Sequence, residues 1–235
     1  MYGFGYGMYF DRTYILILIG VVITLIASGK MNSTFRKYSR VRSVSGMTGA
    51  QAASRILEYS GIYDVRVEHV SGNLTDHYDP KSKVLRLSDA TYGSTSVAAI
   101  GVAAHECGHA VQHNKGYMPL KLRSAFVPVA NIGSNASWVF IILGVIMGMN
   151  QTLIYTGIFL FSFAVLFQLI TLPVEFNASN RALRILASSN MMQETEVRQT
   201  RKVLTAAALT YVAAAASAIL SLLRLVLLFS GNDRD

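Results

Sequence analysis

Four stretches of this sequence are apolar over lengths close to the roughly 20 residues of helix that cross a bilayer core, so spanning helices are the first expectation. The first, TYILILIGVVITLIASG over 13–29, is preceded by YGFGYGMYF, whose aromatics suit an interfacial belt. The second runs over 126–149 from Phe126. Its first half carries Asn131, Ser134 and Asn135 and is expected to face protein or the interface. The third, 153–172, is expected to end at Pro173, which cannot continue a helix without losing a backbone bond. The fourth, 203–229, is alanine-rich, and Arg224 near its end can snorkel.

Composition agrees with membrane residence. A chain of 235 residues that is 52% hydrophobic and 14% charged, with a mean hydropathy of +0.38, is too apolar for an ordinary soluble domain. Its single cysteine, Cys107, excludes an internal disulfide framework. The net charge of +8 raises the question of nucleic acid. However, the basic residues are not interleaved with aromatics, and they flank the apolar segments, so they read as topology signals and no nucleic-acid partner is expected.

Of the 21 basic residues, 13 lie between Lys30 and Arg123 and 5 between Arg181 and Lys202. In a four-span arrangement both groups fall on one side, which the positive-inside rule makes cytoplasmic. The short connection at 150–152 and both termini then lie outside. A cleaved signal peptide competes for the first segment, because Ala27, Ser28 and Gly29 are small. The basic cluster Lys30, Arg36, Lys37, Arg40 and Arg42 favours a retained anchor instead.

The resulting layout is an interfacial segment and first span over 1–29, a folded cytoplasmic domain over 30–125, and spans over 126–149 and 153–172. A cytoplasmic helix over 173–202, the last span over 203–229 and a tail over 230–235 complete it. Within the domain, Thr48 is a plausible N-cap for a helix with Ala52, Ala53, Ile56, Leu57 and Tyr59 at helical spacing, closed by Gly61. VRVEHV alternates, Asp79-Pro80 signals a turn and VLRLS alternates again, which reads as strand, hairpin and strand.

A helix with the sequence AAHECGHAVQH, 103–113, follows. His105 and His109 stand one turn apart on one face and can present ring nitrogens to one zinc ion at about 2.0–2.1 Å. Glu106, about 100° round the helix, reaches the open side of such an ion, where a general base is needed. This spacing is the signature of a metallopeptidase helix, and the preceding strand and hairpin are the context in which a zincin active-site helix sits. The bland alternative is a partly buried helix whose histidines bond backbone or water. Gly108, inside the motif, costs about 1 kcal/mol of helix propensity and therefore calls for a packing or functional reason. Cys107 points about 200° away from His105 and reads as packing.

Such a zinc site wants a third protein ligand. His113 lies about 12 Å along the axis from His105, too far for three successive turns to converge. An exposed or substrate-side position suits it better. His77 can line the cleft from the hairpin, although a local hydrogen bond is the commoner role of a strand-edge histidine. Glu175 emerges from the third span on the side that carries the motif, which makes it the better candidate, although a glutamate there is often only a solvated charge.

With these residues in view, SGMTGAQAASRIL, LTDHYDPKSKVLRLS, SVAAIGVAAHECGHAVQH, GYMPLKLRS and LPVEFNASNRA, in that order among the spans, resemble the YugP-like family of neutral zinc metallopeptidases of bacterial membranes. The resemblance implies a mainly α fold: a four-span membrane protein with a cytoplasmic α+β zincin-like domain of the gluzincin type. It further implies zinc on His105, His109 and Glu175, Glu106 as catalytic base, and hydrolysis of peptide bonds in protein substrates at the membrane. Related enzymes place an aspartate four residues after the glutamate to orient a histidine. Here that position is Ser179, which puts the role in doubt.

Two rivals remain. A site-2-type intramembrane protease carries the motif inside a span, whereas only nine small or apolar residues precede His105 here. A catalytically inactive scaffold or adaptor would keep the fold without needing Glu106. The expected partners are a membrane-associated protein or peptide substrate and the bilayer, with a second copy of the chain or other membrane proteins left open.

Overall fold

The computed structural model describes residues 11–230. The aromatic N-terminal stretch and the tail beyond 230 lie outside the described residues. The elements are α1 (Tyr14–Tyr38), α2 (Gly49–Tyr59), β1 (Arg66–Val70), β2 (His77–Asp79), β3 (Val84–Ser88), α3 (Val97–Asn114), α4 (Met118–Ile146), α5 (Gln151–Ser188) and α6 (Glu194–Ser230).

Four of these helices, α1, α4, α5 and α6, are long and apolar enough to cross a membrane. They leave apolar side chains outside, including Ile26 on α1 and Ile132 on α4, which are 66% and 70% exposed. Water would penalise surface of that kind, and lipid does not. Within the set α5 packs between α4 and α6, and α6 packs on α1. Small residues let these helices approach closely. A Cβ on Gly157 would stand 2.7 Å from the Ser137 carbonyl oxygen, and one on Gly20 would stand 2.8 Å from Ser217 Oγ. Arg224 lies with its guanidinium 4.3 Å from the centre of the Tyr14 ring, an aromatic partner for its charge at the end of α6.

Several boundaries differ from the sequence reading. The helix of the third span does not stop at Pro173: α5 continues through it to Ser188. The missing N–H removes one bond, which a helix flanked by other helices tolerates. The second span likewise belongs to a longer helix that starts at Met118, ahead of Phe126, with Pro119 in its first turn and Pro128 inside. The segment 173–202, read as a helix of its own, is the end of α5, a turn and the start of α6. Asn131 and Asn135 are exposed on α4 and Ser134 is half-buried, so the two asparagines keep only the interface among the positions expected for them.

The small domain forms as its signals require. Thr48 caps α2 with a reciprocal capping box, its side chain accepting from the Gln51 N–H while the Gln51 side chain accepts from the Thr48 N–H. Gly61 follows α2 with φ +70°, the left-handed conformation that favours glycine. The three strands are ordered β1-β3-β2, with β3 central and buried, β1 parallel to it and β2 antiparallel. At the β2–β3 turn, Asp79 accepts hydrogen bonds from the Lys81 N–H and the Ser82 hydroxyl. Leu85 and Leu87 of β3 join Ile56 and Leu57 of α2 and Ile100 of α3 in one core, which Ala182 and Leu186 of α5 complete. The small domain and the long α5 therefore share a core, and this fixes α3 against α5.

Candidate metal centre

Local chemistry starts α3 and packing places it. The Ser96 hydroxyl caps its first turn by accepting from the Ala99 N–H. At Gly108 the helix lies directly on the backbone of α5, where an added Cβ would stand 2.4 Å from the Ala178 carbonyl oxygen. That contact supplies the packing reason that a glycine inside the motif demands.

The approach brings three side chains together. Glu175 Oε2 lies 3.2 Å from His105 Nε2 and 3.6 Å from His109 Nε2, and the three ligand atoms all fall within 4.8 Å of one another. A tetrahedral zinc with ligands at about 2.0–2.1 Å sets neighbouring ligand atoms roughly 3.3 Å apart, so the separations to Glu175 suit that ion. Glu175, 2% exposed, and His109 are buried, and His105 is partly buried.

The outer atoms of the set are also partnered. His105 Nδ1 lies 3.1 Å from Ser179 Oγ, one turn after Glu175 on α5. His109 Nδ1 lies 3.0 Å from Gln112 Oε1. Gln112 is fully buried, and its amide donates to the Val174 carbonyl oxygen and to Asn177 Oδ1. With Nδ1–H donating to these oxygens, each Nε2 is left as the lone-pair face toward a metal. The second oxygen of Glu175 is held by Arg123, whose Nη1 lies 3.1 Å from Oε1. Arg123 thus leaves Oε2 as the oxygen that faces the two histidines.

Electrostatics follow from this pairing. Burial alone would push the Glu175 carboxyl up, but hydrogen bonds from His105 and His109 overcome it and hold the group well below the usual carboxylate range. Burial likewise disfavours charged His109, yet its contacts with Glu175 and the nearby Glu106 charge raise its pKa above that of an ordinary imidazole. A metal entering the site displaces any proton that His109 holds.

The site opens into a cleft of about 270 Å³ lined by Glu106, His109, Glu175, Arg123, Tyr211 and His77. Tyr211 of α6 stands in the same cleft wall as Glu175. His77 thus reaches the cleft wall, its Nδ1 2.9 Å from the Thr75 carbonyl oxygen. His113 stays outside the cluster, with Nδ1 2.8 Å from the Tyr78 hydroxyl oxygen. Cys107 is buried against α2, its thiol facing the Ala53 carbonyl oxygen at 3.5 Å. Sequence reasoning missed Gln112, Arg123 and Tyr211. Gln112 lies three residues after His109 in the quoted motif, a spacing that places it beside the ring on the same helix, whereas Arg123 and Tyr211 come from distant elements with no local signal.

A family model described as "Putative neutral zinc metallopeptidase" matches residues 13–230. The chain is 49% identical over 220 residues to the "Putative membrane protease YugP" of Bacillus subtilis (strain 168), covering 94% of this chain and 97% of that protein. No solved structure matches the chain.

Metal analysis of purified protein is expected to find about one equivalent of zinc, with most of it lost in His105→Ala, His109→Ala and Glu175→Ala and retained in His113→Ala. Loss in His113→Ala with retention in Glu175→Ala would contradict the ligand set. Zinc uptake should also release protons. Because His109 holds its proton to higher pH than a free imidazole, zinc competes poorly below that raised pKa, and apparent affinity should climb as pH rises through it. Chelator competition between about pH 6 and 8 measures this, and a flat profile would show that His109 does not exchange a proton for metal.

Proposed function

The chain belongs to the neutral zinc metallopeptidase family whose model it matches, and from that premise we propose that it is an integral-membrane zinc peptidase that hydrolyses protein substrates at the cytoplasmic membrane face. The observation that carries this reading is the convergence of His105, His109 and Glu175 beside Glu106 in an open cleft. Bound zinc would polarise the scissile carbonyl and lower the pKa of water to near neutrality. Glu106 accepts a proton from the attacking water and then delivers it to the amide nitrogen as the C–N bond breaks. Tyr211 and Arg123 offer O–H and N–H donors to the same cleft, where charge develops on the carbonyl oxygen. Ser179 and Gln112 orient the two histidines.

The domain ahead of α4 is read as zincin-like. Among the described residues strand β2 pairs only with β3, which leaves its other edge for an extended peptide, and its His77 lines the cleft. Basic residues concentrated between Lys30 and Arg123 support a cytoplasmic position for this face. An inactive membrane scaffold with the same fold would not need a carboxylate at Glu106.

Replacing Glu106 with glutamine removes the proton acceptor and spares the ligand set. Glu106→Gln should keep its zinc and lose proteolysis by at least about a hundredfold, read by proteomics of membranes holding either form. Near-normal cleavage by the zinc-loaded variant, or rescue of a deletion phenotype by it, would favour the scaffold. Topology is tested with an impermeant thiol reagent in intact cells, against the low background of the buried Cys107. A cysteine at Lys81 should resist labelling and one at Gln151 should react, and the reverse pattern would overturn the cytoplasmic placement.

A further inference from the structure

Away from the cleft, α1 and α6 run antiparallel, with Gly20 opposite Ser217 and Tyr14 opposite Arg224. Followed toward the end of α1, the same pairing brings Lys30 and Lys37 beside Arg201 and Lys202 at the start of α6. These four cations line one groove of about 480 Å³, whose wall also includes Tyr38, Ala206 and Leu209. All four are exposed, and none makes an ion pair among the described residues. No acidic side chain lines the groove.

Position sharpens the chemistry. Lys30 is the first charged residue after the apolar run of α1, and Lys202 immediately precedes the apolar run of α6. The groove therefore opens where two membrane-length helices leave their apolar stretches, at the depth of lipid headgroups. Cations at its mouth and apolar side chains in its wall complement a ligand with an anionic head and an acyl tail. Arg201, Thr205 and Leu209 are shared with a smaller recess that Ser179 lines, so the groove adjoins the side of α5 that supports His105.

We propose that the α1–α6 groove formed by Lys30, Lys37, Arg201 and Lys202 binds the phosphate headgroup of an anionic phospholipid. The acyl chains continue along the apolar surface of α1 and α6. This assignment does not depend on the peptidase reading.

The test is native mass spectrometry of the full chain in detergent, titrated with phosphatidylglycerol, phosphatidylcholine or inorganic phosphate. The first phosphatidylglycerol should bind at least about tenfold more tightly than phosphatidylcholine. Lys37→Gln/Lys202→Gln should erase most of that preference while zinc content and helical circular dichroism stay unchanged. Arg36→Gln/Arg40→Gln removes two charges from the same segment outside the groove and should keep the preference. Equal loss in both pairs would mean diffuse surface attraction and would overturn the site. Inorganic phosphate at millimolar concentration should not displace the lipid. If it does, and binds the wild-type protein as tightly, the groove is a soluble-phosphate site and the lipid assignment fails.

Discussion

The contact between Gly108 of α3 and Ala178 of α5 is the constraint on which the rest of the site depends. The two backbones approach so closely that one added methyl carbon would sit 2.4 Å from a carbonyl oxygen. The candidate ligand residues and Ser179 flank that contact with the same spacing on both helices: His105 and His109 stand three before and one after Gly108, and Glu175 and Ser179 stand three before and one after Ala178. A helix pair pressed together at that point brings one turn of each into register. The ligand atoms meet, and the Ser179 hydroxyl meets the outer nitrogen of His105. Metal–ligand distances tolerate only about ±0.2 Å, so a displacement of α3 that accommodates a methyl group is felt directly at the site.

Close packing alone would leave a carboxylate stranded in a nearly dry site, which is costly unless it is paired. Here Glu175 and both imidazoles have counterparts. Glu175 places one oxygen on Arg123 and turns the other to the two imidazoles. Gln112 joins His109 to the backbone of α5 through Val174, so the second histidine is tied to the helix that carries the acid. The centre is consequently pre-organised by three helices, α3, α4 and α5, and closed on a further side by Tyr211 of α6. Two of these, α4 and α5, are membrane-length helices, so the site is built in part from the helices long and apolar enough to cross a membrane.

Much of this was legible in the sequence because it rests on short-range signals. Four apolar runs gave the membrane-length helices, Thr48 gave the cap of α2, and the spacing of His105, Glu106 and His109 gave one helical face. Glu175 was within reach because the order of the apolar runs placed it beside the motif. Helix ends were less legible. Pro173 reads locally as a stop, but tertiary packing on both sides of α5 outweighs a single missing bond, and the same holds for the early start of α4. Arg123 and Tyr211 were invisible because their role depends on which faces of α4 and α6 turn toward α3, a property of the packed bundle and not of any local run. Ser179 was noticed as a departure from an acidic position, and its contact with His105 shows that a hydroxyl can occupy that place.

Where a metal sits decides whether α3 and α5 together form a zinc centre. Anomalous diffraction at the zinc edge from crystals of the full chain tests it most directly. A single peak should lie about 2.0–2.2 Å from His105 Nε2, His109 Nε2 and Glu175 Oε2, with its remaining side open toward Glu106 and the cleft. A peak held by His113 or His77 in place of Glu175, or no peak between α3 and α5 in protein that carries stoichiometric zinc, would contradict it.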